Sequence, residues 1–279
     1  MPPSIISPET LLRYPLPVTL SIVLITQNEE ANLPRTLESV MPLVCDGRGE
    51  IVIVDSGSTD GTLEVARSYG AKVFSEPWKG FAQQKNSAMD KASCDWVLQL
   101  DADERLEPEL AVEISDALNS NPSIQGYWIP RKNFFLGRWI HHGGFYPDPK
   151  LRLIRRGAGK FEEYGAHPTI RVKGSTARLK HALAHNAYPT LCGYIDHMNS
   201  YSSSGAEVAV AKGHRLFSPI NIIVRPLLTF IYNYFLRLGF LDGREGLLLH
   251  LYHSVYVSWK YAKAWELERG ASDRVGTGL

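Results

Sequence analysis

The sequence predicts an α/β fold: a mostly parallel sheet flanked by helices, followed by a helical appendage toward the C-terminus. Three observations carry this. Short apolar runs of strand length alternate with longer amphipathic segments. Polar clusters directly follow three of the runs, where open α/β sheets bind ligands. From about residue 216 onward the composition turns apolar and aromatic.

Leu20–Thr26 (LSIVLIT) reads as the first buried strand and runs into Gln27, Asn28, Glu29 and Glu30. A helix follows, with Pro34 in its first turn and Leu33, Leu37, Val40 and Met41 on one face. Residues 51–54 (IVIV) form the second strand, which ends in DSGSTDGT at 55–62. The next helix reaches about Tyr69, with Gly70 terminating it. Residues 71–74 form a short third strand. The loop EPWKGF, 76–81, then leads into a helix carrying Gln83, Gln84, Lys85 and Asn86.

Residues 96–100 are the fourth strand, a nearly continuous apolar run expected of a strand covered on both faces. It stops abruptly at Asp101-Ala102-Asp103. Two carboxylates one residue apart at such a place are costly unless something pairs them. A hard divalent cation bridging to phosphate oxygens is the simplest partner. The same residues also read as an acidic helix start. In that case Asp101 or Asp103 caps a helix from about Leu106, and Glu104 and Glu107 favour its dipole.

The totals narrow the function. The chain has 279 residues, 44% hydrophobic and 21% charged, with a net charge of +1. That allows one large domain plus an appendage and gives no global field for nucleic acid. Cys45, Cys94 and Cys192 are far apart and lack C-x-x-C spacing, which fits a reducing compartment better than a disulfide framework or a zinc site. The proline-rich first 17 residues lack a basic start followed by an apolar core, so they read as a loose leader. No P-loop and no G-x-G-x-x-G follows a strand.

The stretches at 20–30, 54–62 (VDSGSTDGT) and 98–104 (LQLDADE) resemble the family 2 glycosyltransferases. The likeness extends through WKGFAQQKN (78–86), GGFYPDPKLRLIRR (143–156) and GFLDGREG (239–246), and covers roughly residues 18–267. This combination resembles a bacterial subgroup of lipopolysaccharide core β-glucosyltransferases. The resemblance implies the GT-A fold, a Rossmann-like sheet; with the composition shifts, the expected organisation is a leader at 1–17, a catalytic domain at 18–215, a helical hairpin at 216–268 and a tail at 269–279.

It further implies an inverting transfer from a nucleoside diphosphate sugar, UDP-linked glucose being the expected donor. The expected acceptor is a hydroxyl of a lipid-linked glycan, and the expected cofactor a divalent cation, Mn²⁺ or Mg²⁺. Asp103 would hold the metal, with Asp101 beside it near the ribose and diphosphate. Asp55 would meet the uracil edge. Thr26, Asn28, Glu29 and Ser56 would line the nucleoside pocket, with Lys85 and Asn86 facing the nucleotide. Lys85 reads equally as a solvated helix residue, and Thr59, Asp60 and Gly61 as turn and cap. His185 is a further metal or phosphate candidate, and His167 a diphosphate candidate. Each also reads as a structural histidine.

A base must take the acceptor proton. The subgroup pattern expects a His-Glu pair, and here Pro168 follows His167. Glu163, Glu162 and Asp148 are the remaining candidates, in that order. Arg152, Arg155 and Arg156 suit a diphosphate or a phosphorylated acceptor, or a solvated strand face. The aromatic and glycine-rich stretch at 133–146 suits a sugar-binding loop or ordinary packing.

In the C-terminal segment, Asn221, Arg225, Pro226, Asn233 and Arg237 interrupt the first apolar run, leaving it short for a span of about 20 residues. Tyr232, Tyr234, Tyr252, Tyr256, Trp259, Tyr261 and Trp265 favour a membrane interface. The expectation is a helix pair on the cytoplasmic leaflet, and hence a peripheral enzyme on the inner face of the cell membrane. Packing on the catalytic domain or on another subunit is the alternative. Two other functions compete. A nucleotidyltransferase would need a Gly-rich basic loop where 26–30 is acidic. A binding module that has lost its base would bind UDP without releasing it from UDP-sugar.

Overall fold

The computed structural model describes residues 19–45, 47–120, 123–162, 168–214 and 217–276. They fall in two compact units, the first holding 19–131, 148–162 and 168–185, the second 132–147 and 186–276.

The first unit begins with the expected alternation. Strand β1 (Leu20–Thr26) is followed by α1 (Leu33–Val44), β2 (Gly49–Asp55), α2 (Thr62–Ser68), β3 (Lys72–Ser75), α3 (Phe81–Asp90) and β4 (Trp96–Gln99). Strands β4, β1, β2 and β3 lie side by side and parallel. Then come β5 (Glu104–Leu106), α4 (Pro108–Ser120) and β6 (Gly126–Ile129), and later β9 (Lys150–Arg155), β10 (Gly159–Glu162), β11 (Thr169–Val172) and β12 (Thr176–Arg178). The seven-stranded sheet has the order β12-β6-β9-β4-β1-β2-β3. Its one reversed strand is β9, antiparallel to both β4 and β6.

Alternate residues of each strand point to opposite faces, and both faces are covered. Leu20, Ile22, Leu24, Ile53, Trp96 and Leu98 pack with Leu33, Leu37 and Val40 of α1 and Leu110 and Ile114 of α4. Val23, Val52, Val54 and Val97 pack with Ala82, Ala88 and Met89 of α3.

Two sequence expectations shift. Gly70 does end α2 with a positive φ of 71°, but its turn takes up Ala71, whose N–H bonds Ala66, so β3 begins at Lys72. The helix after the acidic pair starts at Pro108, not near Leu106, and neither aspartate caps it. Glu104, Arg105 and Leu106 instead pair antiparallel with His185, Ala184 and Leu183 at the start of β13 (Leu183–Tyr188).

The second unit contains the rest of β7 (Arg131–Phe135) and β8 (Arg138–Trp139), a hairpin turned at Leu136-Gly137. Helix α5 (Leu191–Ala211) starts at Thr190, whose hydroxyl accepts from the Gly193 N–H. It packs along α7 (Gly243–Gly276) through Ala206, Ala209, Tyr261 and Ala264. Between them lies a helical stretch made of Ile220–Val224, α6 (Arg225–Ile231) and Tyr232–Leu236. One tight turn, Gly239–Asp242, joins it to α7.

Candidate active site

The site gathers where β1, β2 and β4 end. The first two loops interlock through side chains. Asn28, at φ 56°, accepts from the Thr59 N–H at 2.8 Å, and its own N–H donates to Ser58 Oγ at 2.9 Å. The Glu29 N–H reaches Thr62 Oγ1 at 2.8 Å, and Asp60 accepts from the Thr62 N–H. Thr59 and Asp60 thus build the turn that opens α2.

Asp55 is 1% exposed. One of its oxygens accepts from the backbone of Gly57 and Ser58, the other from Thr26 Oγ1 and Ser58 Oγ. Burial alone would raise its pKa, but these bonds outweigh burial and lower it. With both oxygens doubly bonded, Asp55 must exchange one partner to meet a nucleobase. Ser56 Oγ accepts from the buried Gln84 amide at 3.1 Å.

Asp101 sits in a ladder of alternating charge. Lys85 meets one of its oxygens at 2.5 Å and Arg152 the other at 2.7 Å. Arg152 also meets Glu104 at 2.8 Å, Glu104 meets Arg131 at 3.1 Å, and Arg131 meets Asp148 at 2.7 Å. Burial would raise Asp101, yet Arg152 and Lys85 hold it well below the ordinary carboxylate range. Burial pushes the Lys85 ammonium down. Arg152 is 5% exposed and also donates to Gln99. It is therefore a buried support for Asp101 rather than part of a solvated strand face.

Asp103 takes a different direct partner, although Asp101 and Arg131 of the ladder act on it through space. Its carboxylate lies 3.2 Å from His185 Nε2, and His185 lowers it against the opposing effect of burial. Glu29 is raised, first by burial and then by Asp103, Asp101 and Asp60, with Asn32 opposing. Negative charge thus accumulates beside Asp103, which has Arg131 acting on it through space but, among the described residues, no lysine or arginine ion pair of the kind Asp101 has. An oxygen and an imidazole nitrogen at that spacing suit adjacent positions on one divalent ion. Among the described residues no cluster of three or more His, Cys, Asp or Glu could hold a metal. An ion at Asp103 and His185 would have positions left for diphosphate oxygens and water, which suits Mg²⁺ or Mn²⁺ beside phosphate.

The other candidates separate. Asn86 does not face this cleft in the expected way: its amide bonds the Phe161 N–H and C=O at 2.8 and 2.9 Å, tying α3 to β10. Arg155 pairs with Trp96 at the opposite end of β4, about 16 Å of strand from Asp101. It donates to the Ile124 carbonyl and lies over the Trp96 ring, while the Arg156 N–H bonds Asp95. Neither is placed to meet a diphosphate at the D-x-D, because β9 runs antiparallel and, of the three arginines, brings Arg152 to that edge. Burial would raise Asp148, but Arg131 and Lys150 pull it down to about 2, which makes it a weak base. Glu162 is exposed and paired with Arg171 at 2.8 Å. Glu163 and His167 lie outside the described residues. Sequence reasoning gave no role in the site to Gln84, Gln99 or Arg131 and read Glu104 only as a favourable charge at a helix start. Gln84, Gln99 and Glu104 lie inside the quoted motifs, which was the available signal, and Arg131 lies outside them.

Residues 21–181 match the family model described as glycosyl transferase family 2. The chain belongs to this family. The transferase is 33% identical over 231 residues to the lipopolysaccharide core biosynthesis glycosyltransferase LpsC of Rhizobium meliloti (strain 1021), covering 80% of this chain and 82% of that one. It is 28% identical over 239 residues to an uncharacterised glycosyltransferase of Rickettsia typhi, covering 81% and 80%. Among solved structures it is similar to glucosyl-3-phosphoglycerate synthase from Mycobacterium tuberculosis in complex with Mn²⁺, UDP and phosphoglyceric acid. That match has 20% identity, a TM-score of 0.48, and coverage of 73% of this chain and 82% of that one.

Proposed function

We propose that the transferase moves glucose from UDP-glucose, with inversion, to a hydroxyl of a lipid-linked glycan such as a lipopolysaccharide inner core. The supporting observation is the end of β4. Asp101 is neutralised by Lys85 and Arg152, while Asp103 and His185 stand together in a carboxylate-rich cleft. The LpsC relative, named for lipopolysaccharide core biosynthesis, supports the acceptor class. Such an acceptor is held in a bilayer, so the working enzyme belongs at the inner face of the cell membrane.

In this reading Asp103 and His185 would hold a divalent cation, which would supply positive charge against the departing diphosphate. The acceptor oxygen bonds to the sugar C1 as the C1–O bond to the diphosphate breaks, and its electron pair leaves with UDP. A carboxylate takes the acceptor proton. Asp148 is held ionised by arginine and lysine, and Glu162 is paired at the surface, so Glu163 is the proposed base. Thr26, Asn28, Glu29, Asp55 and Ser56 are proposed to border the nucleoside, and Lys85 and Asp101 the diphosphate side.

The first test is the melting temperature with UDP, GDP, CDP or dTDP, each with and without Mn²⁺. A ligand at about 100 times its dissociation constant stabilises by about 2.7 kcal/mol. A shift with UDP that needs both Mn²⁺ and Asp103 supports the reading. A metal-independent shift that survives Asp103→Ala overturns the metal assignment. UDP release from UDP-glucose with acceptor then separates transfer from binding alone, and pyrophosphate would mark a nucleotidyltransferase.

A further inference from the structure

A helix on a protein surface normally turns its apolar stripe toward the core. The second unit does the reverse. Ile220, Ile223, Leu227, Leu228, Ile231 and Phe235 recur at helical spacing, and all are exposed, Ile220 at 66% and Leu228 at 58%. Pro226 is the buried residue of α6. The apolar surface continues past the stretch at Leu236, which is 71% exposed, and through Phe240 and Leu241 in the turn. Exposed large apolar residues this concentrated mark an interaction surface.

No helix among the described residues is long and apolar enough to cross a membrane. The charge around the face selects among partners. Residues 212–276 contain nine Lys and Arg against five acidic residues, in a chain whose net charge is only +1, and along the face itself, 220–241, Arg225 and Arg237 stand with no acidic residue. One of those acids, Asp242, is buried, accepting from the backbone of His141 and His142. At the exposed end of the stripe Arg237 lies over the Tyr232 ring, whereas Arg225 and Lys260 meet Tyr261, which is buried against α5. A cation–aromatic pair beside an apolar stripe suits a headgroup boundary, where stems and rings are buried and charges stay wet. Two copies meeting through this face would bring like charges together, whereas an anionic bilayer complements it.

We infer that the helical stretch from Ile220 through the turn at Leu241 lies in the plane of an anionic membrane surface, with its exposed apolar stripe inserted among the acyl chains. This deepens the proposed function by naming the surface that meets the lipid, and it rests on that reading only for its biological purpose.

The test is co-sedimentation of the full chain with vesicles of phosphatidylcholine alone or mixed with phosphatidylglycerol. The comparison is the triple variant Leu227→Ser, Leu228→Ser, Leu236→Ser. These side chains are more than half exposed, so an unchanged melting temperature is expected and verifies the fold. The inference expects binding to the anionic vesicles, weakened by added salt, and a loss of at least about tenfold in the variant. It is overturned if wild type binds neither vesicle or if the variant binds as well as wild type. It is also overturned if wild type is a dimer that the substitutions dissociate while vesicle binding is absent. UDP release with a detergent-dispersed acceptor is measured on the same variant. Vesicle binding and transfer can then fail independently, which separates this inference from the proposed reaction.

Discussion

Asp101 and Asp103 are one residue apart, yet their surroundings give them different work. Asp101 has a buried guanidinium and an ammonium on its two oxygens, and Asp103 has a histidine. Asp103→Ala should therefore lower transfer by about 10²–10³-fold and remove the metal dependence of UDP affinity, read by kinetics and thermal shift. Arg152→Gln should act on stability first. It leaves Asp101 and Glu104 without their shared cation, a buried loss of about 3–5 kcal/mol measurable by denaturant unfolding. Asp148 offers a test with pH. Its carboxyl sits at about 2, so Asp148→Asn should leave the acid limb of the pH–rate profile where it is in wild type. A shift of that limb would return Asp148 to the list of bases.

At the scale of elements, the site depends on how loops and helices are fastened to the sheet. The loops after β1 and β2 are joined by Asn28, Ser58 and Thr59, so the edge proposed to meet the nucleoside is fastened by side-chain hydrogen bonds of its own. Helix α3 is tied to β10 by the paired hydrogen bonds of Asn86 with Phe161. Asn86→Ala should cost about 1–3 kcal/mol, because it leaves the Phe161 backbone groups unpaired. If the amide serves this tether and not the nucleotide, metal-dependent UDP affinity measured well below the melting temperature should be unchanged. Helix α3 also delivers Gln84 and Lys85 to the cleft on consecutive positions, where they meet Ser56 and Asp101.

Across the whole molecule, a near-zero net charge conceals segregation: the second unit has 11 Lys and Arg against 7 acidic residues, and the first 19 against 22. That unit also carries a buried, uncharged histidine. His250 is 1% exposed, packed against Gly143 and Gly239, where a Cβ would collide with its ring. Burial lowers its pKa to about 4, with His253 adding and Asp242 opposing. The ordinary value of 6.5 applies to the unfolded chain, so the unfolded state takes up the proton first as pH falls. The neutral ring's contribution is complete above pH 6.5 and is lost progressively down to about pH 4. The loss amounts to at most about 3 kcal/mol. Denaturation across this window should show His250→Gln losing less stability than wild type, whatever its starting stability.

The sequence by itself determined the alternation of strands and helices, the covered sheet and the position of the acidic pair at the end of β4. Those follow from local facts: continuous apolar runs, helical spacing, and two carboxylates where an apolar run stops. It also marked the second unit's helices as apolar and aromatic. Tertiary structure alone decided which cation meets which carboxylate. Lys85 and Arg152 approach Asp101 from opposite directions along the chain, Glu104 joins them from the end of the same motif, and Arg131 joins from outside any motif. It also decided that Arg152 reaches the acidic pair while Arg155 lies at the far edge of the same strand. The reason is physical. Periodicity fixes which face a side chain takes, but strand order and direction fix which end of the sheet it reaches, and β9 runs against its neighbours.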